Sequence, residues 1–350
     1  MGWCTGRRDG CWVETDFTFR GWRLVILKNR NLRVAVLPEK GSDIVEFRYK
    51  PLDLDVMWES PVGLRPNGWF VPTNGNALAP TKEGAEQGNF MDYYEGGWQE
   101  IFPNAGPATK YKGTTIGQHG EVALTPWQWQ VLEEGGRRAS IKMSVNTYRT
   151  PMRVEKILTL EGDKPTLFIE EKVTNLAGET VDFSWGHHPA FGAPFLSGRS
   201  LIELPGKPEV EVCPGDGVCR TNLVSGKWKW PLVDGKKSKV DLRKVPAPED
   251  KISNMMFLTN LPKGEYRLTN PEEGLTFRME WDIKVFSSLW YWQVAGGSFG
   301  YPWWGQTYNI ALEPFSGPPI LSRAIKEGKA LSLQAGKSLS TTLSASFFNT

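Results

Sequence analysis

The sequence is short of the residues on which many activities depend. Histidine occurs three times and cysteine four times in 350 residues. No apolar run approaches the roughly 20 residues that a membrane-crossing helix needs. The first residues, MGWCTGRRDGCW, contain no apolar core of a secretory signal. They also fail as a myristoylation signal, because Gly6 stands where Ser or Thr is required. No N-x-S/T sequon is present. The expectation is a cytoplasmic protein without a membrane partner.

Excess charge is lacking too. Forty-one basic and 39 acidic residues leave a formal charge of +2, with the signs interspersed. No basic stripe exists to follow a phosphate backbone, so no nucleic-acid partner is expected. The cysteines form two sequence pairs, Cys4 with Cys11 and Cys213 with Cys219, and neither has the CxxC spacing of a zinc knuckle or redox dithiol. Reduced structural thiols are the expectation.

Backbone breakers are plentiful. Thirty-seven glycines and 25 prolines exclude long helices and coiled coils, while 40% hydrophobic residues suffice for a large core. Apolar residues alternate with polar ones in segments 22–28, 32–37, 44–49, 127–132, 139–145, 154–160, 167–173, 181–185, 275–281 and 339–347. That period is the mark of half-buried strands. Turn-forming clusters such as LEGDKP and TNPEEG separate them. The pattern predicts an all-β fold, a large antiparallel β-sandwich spanning residues 1–350 as one domain, with residues 1–20 as an N-terminal extension. Stretches 61–118 and 196–252 lack the alternation and read as long loops, the second a solvated excursion carrying KWKWPLVDGKKSK.

With so few histidines, their surroundings are informative. His119 lies in IGQHGEV, and His187 and His188 lie in FSWGHHPAFG. Neighbouring strand residues point to opposite faces, so His187 and His188 cannot both face one cleft, and Pro189 holds His188 near extended geometry. Glu313, in NIALEPFSGPP, ends an apolar strand, where partial desolvation would raise its basicity towards that of a general base.

Sixteen tryptophans are unusual. Trp58, Trp69, Trp98, Trp290, Trp292, Trp303 and Trp304 include residues able to stack on sugar faces. Trp303 and Trp304 are the preferred candidates. In EGGWQEIFPNAG, Trp98, Gln99, Glu100 and Asn104 could bind a substrate through hydrogen bonds.

Other chemistries compete. GGSFG at 296–300 matches G-x-S-x-G, yet YPWWG follows where that motif needs a helix. A metal-dependent sugar lyase or isomerase could use His119, one of His187 and His188, and a carboxylate. A glycoside hydrolase could pair Glu313 with Glu100. A non-catalytic carbohydrate-binding domain would need only the aromatics.

Five segments, in order, resemble the aldose 1-epimerase (galactose mutarotase-like) superfamily: EIFPNAG, QHGEVALTPW, GHHPAFG, LEPF and AGKSLSTTLSASF. The likeness runs from about Asn31 to the C-terminus. It implies His188 as general acid, Glu313 as general base, His119 as a sugar contact, and His187 in the place of an Asn that often precedes the acid. Two motifs are missing: NAGPATKYK holds no substrate-binding Arg, and ISNMMF replaces a Tyr-Asp-His segment. The identity of the sugar is therefore left open.

The implied reaction is interconversion of α and β anomers. A base removes the anomeric hydroxyl proton, an acid protonates the ring oxygen, and the ring opens, rotates and recloses. No cofactor and no metal are expected, the partner is a small-molecule sugar or sugar derivative, and the protein is expected to be a monomer or homodimer. Mutual attraction is expected to keep His188 protonated beside Glu313.

Overall fold

The computed structural model describes residues 10–67, 89–213 and 220–350. Cys4, Cys219 and Trp69, singled out above, lie outside these residues.

Two large antiparallel sheets form the body. Thirteen strands of the first run in the spatial order Trp12–Phe19, Trp22–Lys28, Leu32–Leu37, Asp43–Tyr49, Trp98–Ile101, Gly186–Phe191, Tyr308–Phe315, Ser288–Ala295, Ile252–Thr259, Glu209–Val212, Gly226–Lys229, Leu232–Asp234 and Lys239–Asp241. The second has eight strands, with Ser338–Asn349, Thr166–Asn175, Met152–Glu161 and Arg138–Asn146 adjacent in that order. The expected all-β antiparallel architecture is what the chain adopts. Apolar positions of the second sheet, such as Val154, Leu158, Leu167, Ile169, Leu343 and Ala345, face the first sheet and form the main core.

A smaller apolar cluster lies on the other face of the first sheet. It joins Trp58, Phe90, Tyr94, Ile101, Trp290, Trp303 and Phe315. The middle strands of that sheet are thus covered on both faces, and every residue of Trp98–Ile101 and Gly186–Phe191 is buried. Such strands show no alternation, which is why Trp98–Ile101 reads as loop in the sequence. Glu313, read as a strand end, sits inside Tyr308–Phe315.

Residues 12–19, read as part of an extension, form the edge strand of the first sheet. The 196–252 stretch also differs from its reading, contributing five short strands rather than a loop. No helix among the described residues is long and apolar enough to cross a membrane.

Candidate active site

Strand register puts the chemistry on one face. Gly186 lies opposite Phe315, and Ala190 opposite Ala311, so His188 between them stands opposite Glu313. On its other side His188 pairs with Gln99, and beyond Glu313 comes Trp290. Directly opposed residues of antiparallel strands share a face. His188, Glu313, Gln99, Trp290 and, two positions on, Trp292 therefore look out from the first sheet together.

The contacts agree. His188 Nε2 is 3.5 Å from Glu313 Oε1. The Tyr94 hydroxyl is 3.2 Å from His188 Nδ1, and the His119 and His188 ring centres are 5.5 Å apart. Around them stands an aromatic cage: Trp58 meets Tyr94 at 5.6 Å and Trp303 at 5.7 Å, and Trp292 meets Trp303 at 5.5 Å. Phe90 touches both Tyr94 and His119, at 5.0 Å and 4.4 Å.

His119 is presented by a strained turn. It adopts φ +57°, uncommon for a residue with a Cβ. Next to it, Gly120 has φ +76°, and a Cβ there would stand 2.1 Å from the Phe102 carbonyl oxygen. Asn104 fastens the loop, its Nδ2 donating to the Gly106, Pro107 and Gly117 carbonyls. His119 Nδ1 is bonded to the Ala105 carbonyl. A carbonyl only accepts, so Nδ1 carries the hydrogen, and in the neutral ring Nε2 is left as an acceptor.

Burial dominates the electrostatics. It pushes Glu313 well above the usual carboxylate range, and Oε1 has no hydrogen-bond partner among the described residues. The same burial, helped by neighbouring His119, brings His188 down to about 3, and His119 itself falls to about 4. This corrects the expectation of a standing imidazolium. Attraction across 3.5 Å does not repay the loss of hydration of two charges in a dry site. The pair's proton rests on Glu313, and His188 is neutral.

The sequence model of the family described as "Domain of unknown function (DUF4432)" matches residues 19–347. The chain belongs to the DUF4432 family. No curated protein matches it in sequence. Among solved structures, this DUF4432 chain is similar to a candidate aldose 1-epimerase from Klebsiella pneumoniae subsp. pneumoniae MGH 78578, with TM-score 0.71 and 13% identity over 98% of this chain and 89% of the other. It is also similar to a galactose mutarotase related enzyme from Lactobacillus acidophilus, with TM-score 0.61 and 15% identity over 93% and 98%. Slr1438 of Synechocystis sp. PCC 6803 gives TM-score 0.64 and 16% identity over 96% and 100%. At such identities the likeness fixes the fold, which is galactose mutarotase-like.

Of the residues read from the sequence, the DUF4432 fold gathers His188, Glu313, His119, Gln99 and Trp303. Trp304, adjacent to Trp303, is 66% exposed and outside the cage. Asn104 spends its side chain on the His119 loop. His187, Trp98 and Glu100 point the other way, into the sandwich. There the Trp98 indole donates to His187 Nδ1 at 3.1 Å, leaving Nε2 to donate to Glu171 at 3.0 Å. Glu100 accepts from the Trp185 indole and lies 3.3 Å from Lys156 Nζ. A sheet thickness separates Glu100 from Glu313, so the two cannot flank one glycosidic bond. Burial raises Glu100 to about 7 and Glu171 to about 8, and lowers His187 to about 4.

Ser298 of GGSFG is bonded to Ser253 and followed by turns. Among the described residues, no group of three or more His, Cys, Asp or Glu is arranged to hold a metal ion. Tyr94 and Phe90 escaped the sequence reading, since NFMDYYEGG has no periodicity. Its paired tyrosines before paired glycines are the one available hint.

Proposed function

We propose that this DUF4432 protein is an aldose 1-epimerase-like isomerase that interconverts the anomers of a sugar by acid–base ring opening. The observation that supports this most is the facing of His188 and Glu313 at 3.5 Å against a buried aromatic cluster.

The pair needs one proton between them, and it has one. Moving that proton from Glu313 to His188 creates a carboxylate and an imidazolium without changing the net charge of the site. The carboxylate takes the proton of the anomeric hydroxyl while the imidazolium protonates the ring oxygen. The bond from C1 to the ring oxygen breaks and C1 becomes a carbonyl. After rotation about C1–C2, the ring oxygen attacks the other carbonyl face, and the two protons return along the same paths. Tyr94 holds the His188 ring, His119 Nε2 accepts from a sugar hydroxyl, and Trp58, Trp292 and Trp303 offer apolar faces. Each proton-transfer group is worth about a hundredfold or more.

Anomer exchange measured by NMR or polarimetry on a panel of aldoses tests this. Acceleration by the protein, absent in His188→Ala and Glu313→Ala, is expected. Sugar binding without acceleration of any aldose would instead establish a carbohydrate-binding domain.

A further inference from the structure

Away from the His188 face, the lysine-rich stretch that reads as a solvated excursion builds a cleft. Its short strands Leu232–Asp234 and Lys239–Asp241 extend the first sheet, and residues 235–241, with 220–222 and 244–252, line a cavity of 870 Å³. That volume lies within the range of small-molecule sites.

The charge there is concentrated. Arg220, Lys236, Lys237, Lys239, Lys244 and Lys251 line the cleft, against only Asp241 and Asp250. The whole chain carries just +2. Both acids are already engaged: Asp241 is bonded to Arg243 at 2.6 Å, and Asp250 accepts from the Ala247 backbone N–H at 2.9 Å. Lys239 is held by Asp234 at 3.0 Å. Among the described residues, Lys236, Lys237, Lys244 and Lys251 form no ion pair, and all four are exposed. Clustering like charges without counter-ions raises the local potential and favours an anion.

Beneath the cations lies an uncharged polar floor. Thr221 Oγ1 donates to Asn254 Oδ1 at 2.7 Å. Asn254 Nδ2 donates to Asn222 Oδ1 at 3.0 Å and to Gln293 Oε1 at 2.7 Å. Asn222, which lines the cleft, thus has its oxygen engaged, while its Nδ2 donors meet no protein acceptor among the described residues. Amides at the floor with cations at the rim match a ligand that carries hydroxyls at one end and negative charge at the other.

We propose that this cleft is a second ligand site, for an acidic saccharide: a sugar ring bearing a phosphate or carboxylate group. It is separate from the epimerase pair. Gln293 and Asn254 are cross-strand partners, and the residues next to them, Trp292 and Met255, are the ones that face the His188 side. The two sites open on opposite faces of the same strands.

Calorimetric titration of the full chain with glucose 6-phosphate, glucuronate, glucose, inorganic phosphate and a ten-nucleotide single-stranded DNA tests the proposal. At least one acidic sugar should bind about tenfold or more tightly than either glucose or inorganic phosphate, and which one does so identifies the anionic group. A Lys236→Glu/Lys237→Glu variant should lose about tenfold in affinity, as charge reversal at a binding rim does. Asn222→Ala should weaken the sugar without changing inorganic phosphate. The His188→Ala variant should bind as the wild type does, so the result stands whether or not anomer exchange is found. Four outcomes would overturn the proposal: no acidic sugar binds, inorganic phosphate binds equally well, the oligonucleotide binds more tightly, or binding disappears in His188→Ala but survives in the lysine variant.

Discussion

His188 and Glu313 stand directly across from each other on neighbouring strands, 3.5 Å apart and both buried. One proton is shared by two groups whose burial opposes charging either. If this pair is the engine, Glu313→Gln and His188→Asn should each lower kcat by about a hundredfold or more, and the double variant by little more than the worse single one. His188 should contribute no inflection near 6.5, the ordinary imidazole value, since burial holds it at about 3, so a step that disappears in Glu313→Gln would belong to the carboxyl, which burial raises. A kcat profile between pH 5 and pH 8 checks this.

Tyr94 meets His188 in two ways: its hydroxyl lies 3.2 Å from Nδ1, and its ring stands edge-on to the imidazole at 5.3 Å while packing on Phe90. Tyr94→Phe keeps the ring and removes the bond. Its kcat should fall about fivefold with KM little changed, in line with a net loss of about 1 kcal/mol in positioning His188. A matching rise in KM would mean that Tyr94 binds sugar instead.

Stability should fall as pH rises from about 6.5 to 8. Over that range unfolded carboxylates have already lost their protons, and unfolded histidines lose the rest of theirs. In the fold Glu100 keeps its proton to about 7, and Glu171 keeps its to about 8. The folded state therefore binds more protons, and linkage makes unfolding easier as they are stripped away. The histidines oppose this: His119 and His187, held near 4, and His188 near 3 stay neutral in the fold while the unfolded chain protonates them below about 6.5, so the sign reverses once the unfolded carboxylates protonate as well, below about 4.5. Urea denaturation across pH should show the alkaline decline, and Glu171→Gln should make it shallower.

Trp303 and Trp304 should part company. Trp303→Ala opens a cavity beside Trp58, Trp292 and Tyr94, and should cost about 3 kcal/mol or more and raise KM. Trp304→Ala removes an exposed ring and should change Tm by no more than a degree or two. Thermal melts and sugar titrations on both variants decide it.

Much of the fold was legible because half-buried strands write their geometry as alternation. Segments 22–28, 32–37 and 275–281 read from the sequence coincide with strands of the structure. The site was legible through side-chain scarcity and resemblance, which singled out His119, His188 and Glu313. Covered on both faces, Trp98–Ile101 lost its alternation, and with it went the cue that Trp98 and Glu100 face inward while Gln99 faces out. Only the paired tyrosines before paired glycines hinted at Tyr94, which reaches His188 from 94 positions away in the chain. The neutral state of the pair was out of reach as well, because desolvation depends on the surrounding cage and not on the two residues themselves.

His187 and His188 are consecutive, yet one serves the interior and the other the hollow. Adding or deleting a single residue within Gly186–Phe191 would exchange them, turning the ring that binds Glu171 towards Glu313 and the one opposite Glu313 into the sandwich. A length change within this strand would therefore break the facing of His188 and Glu313. Any redesign of the hollow must proceed by substitution, with this strand's residue count left untouched.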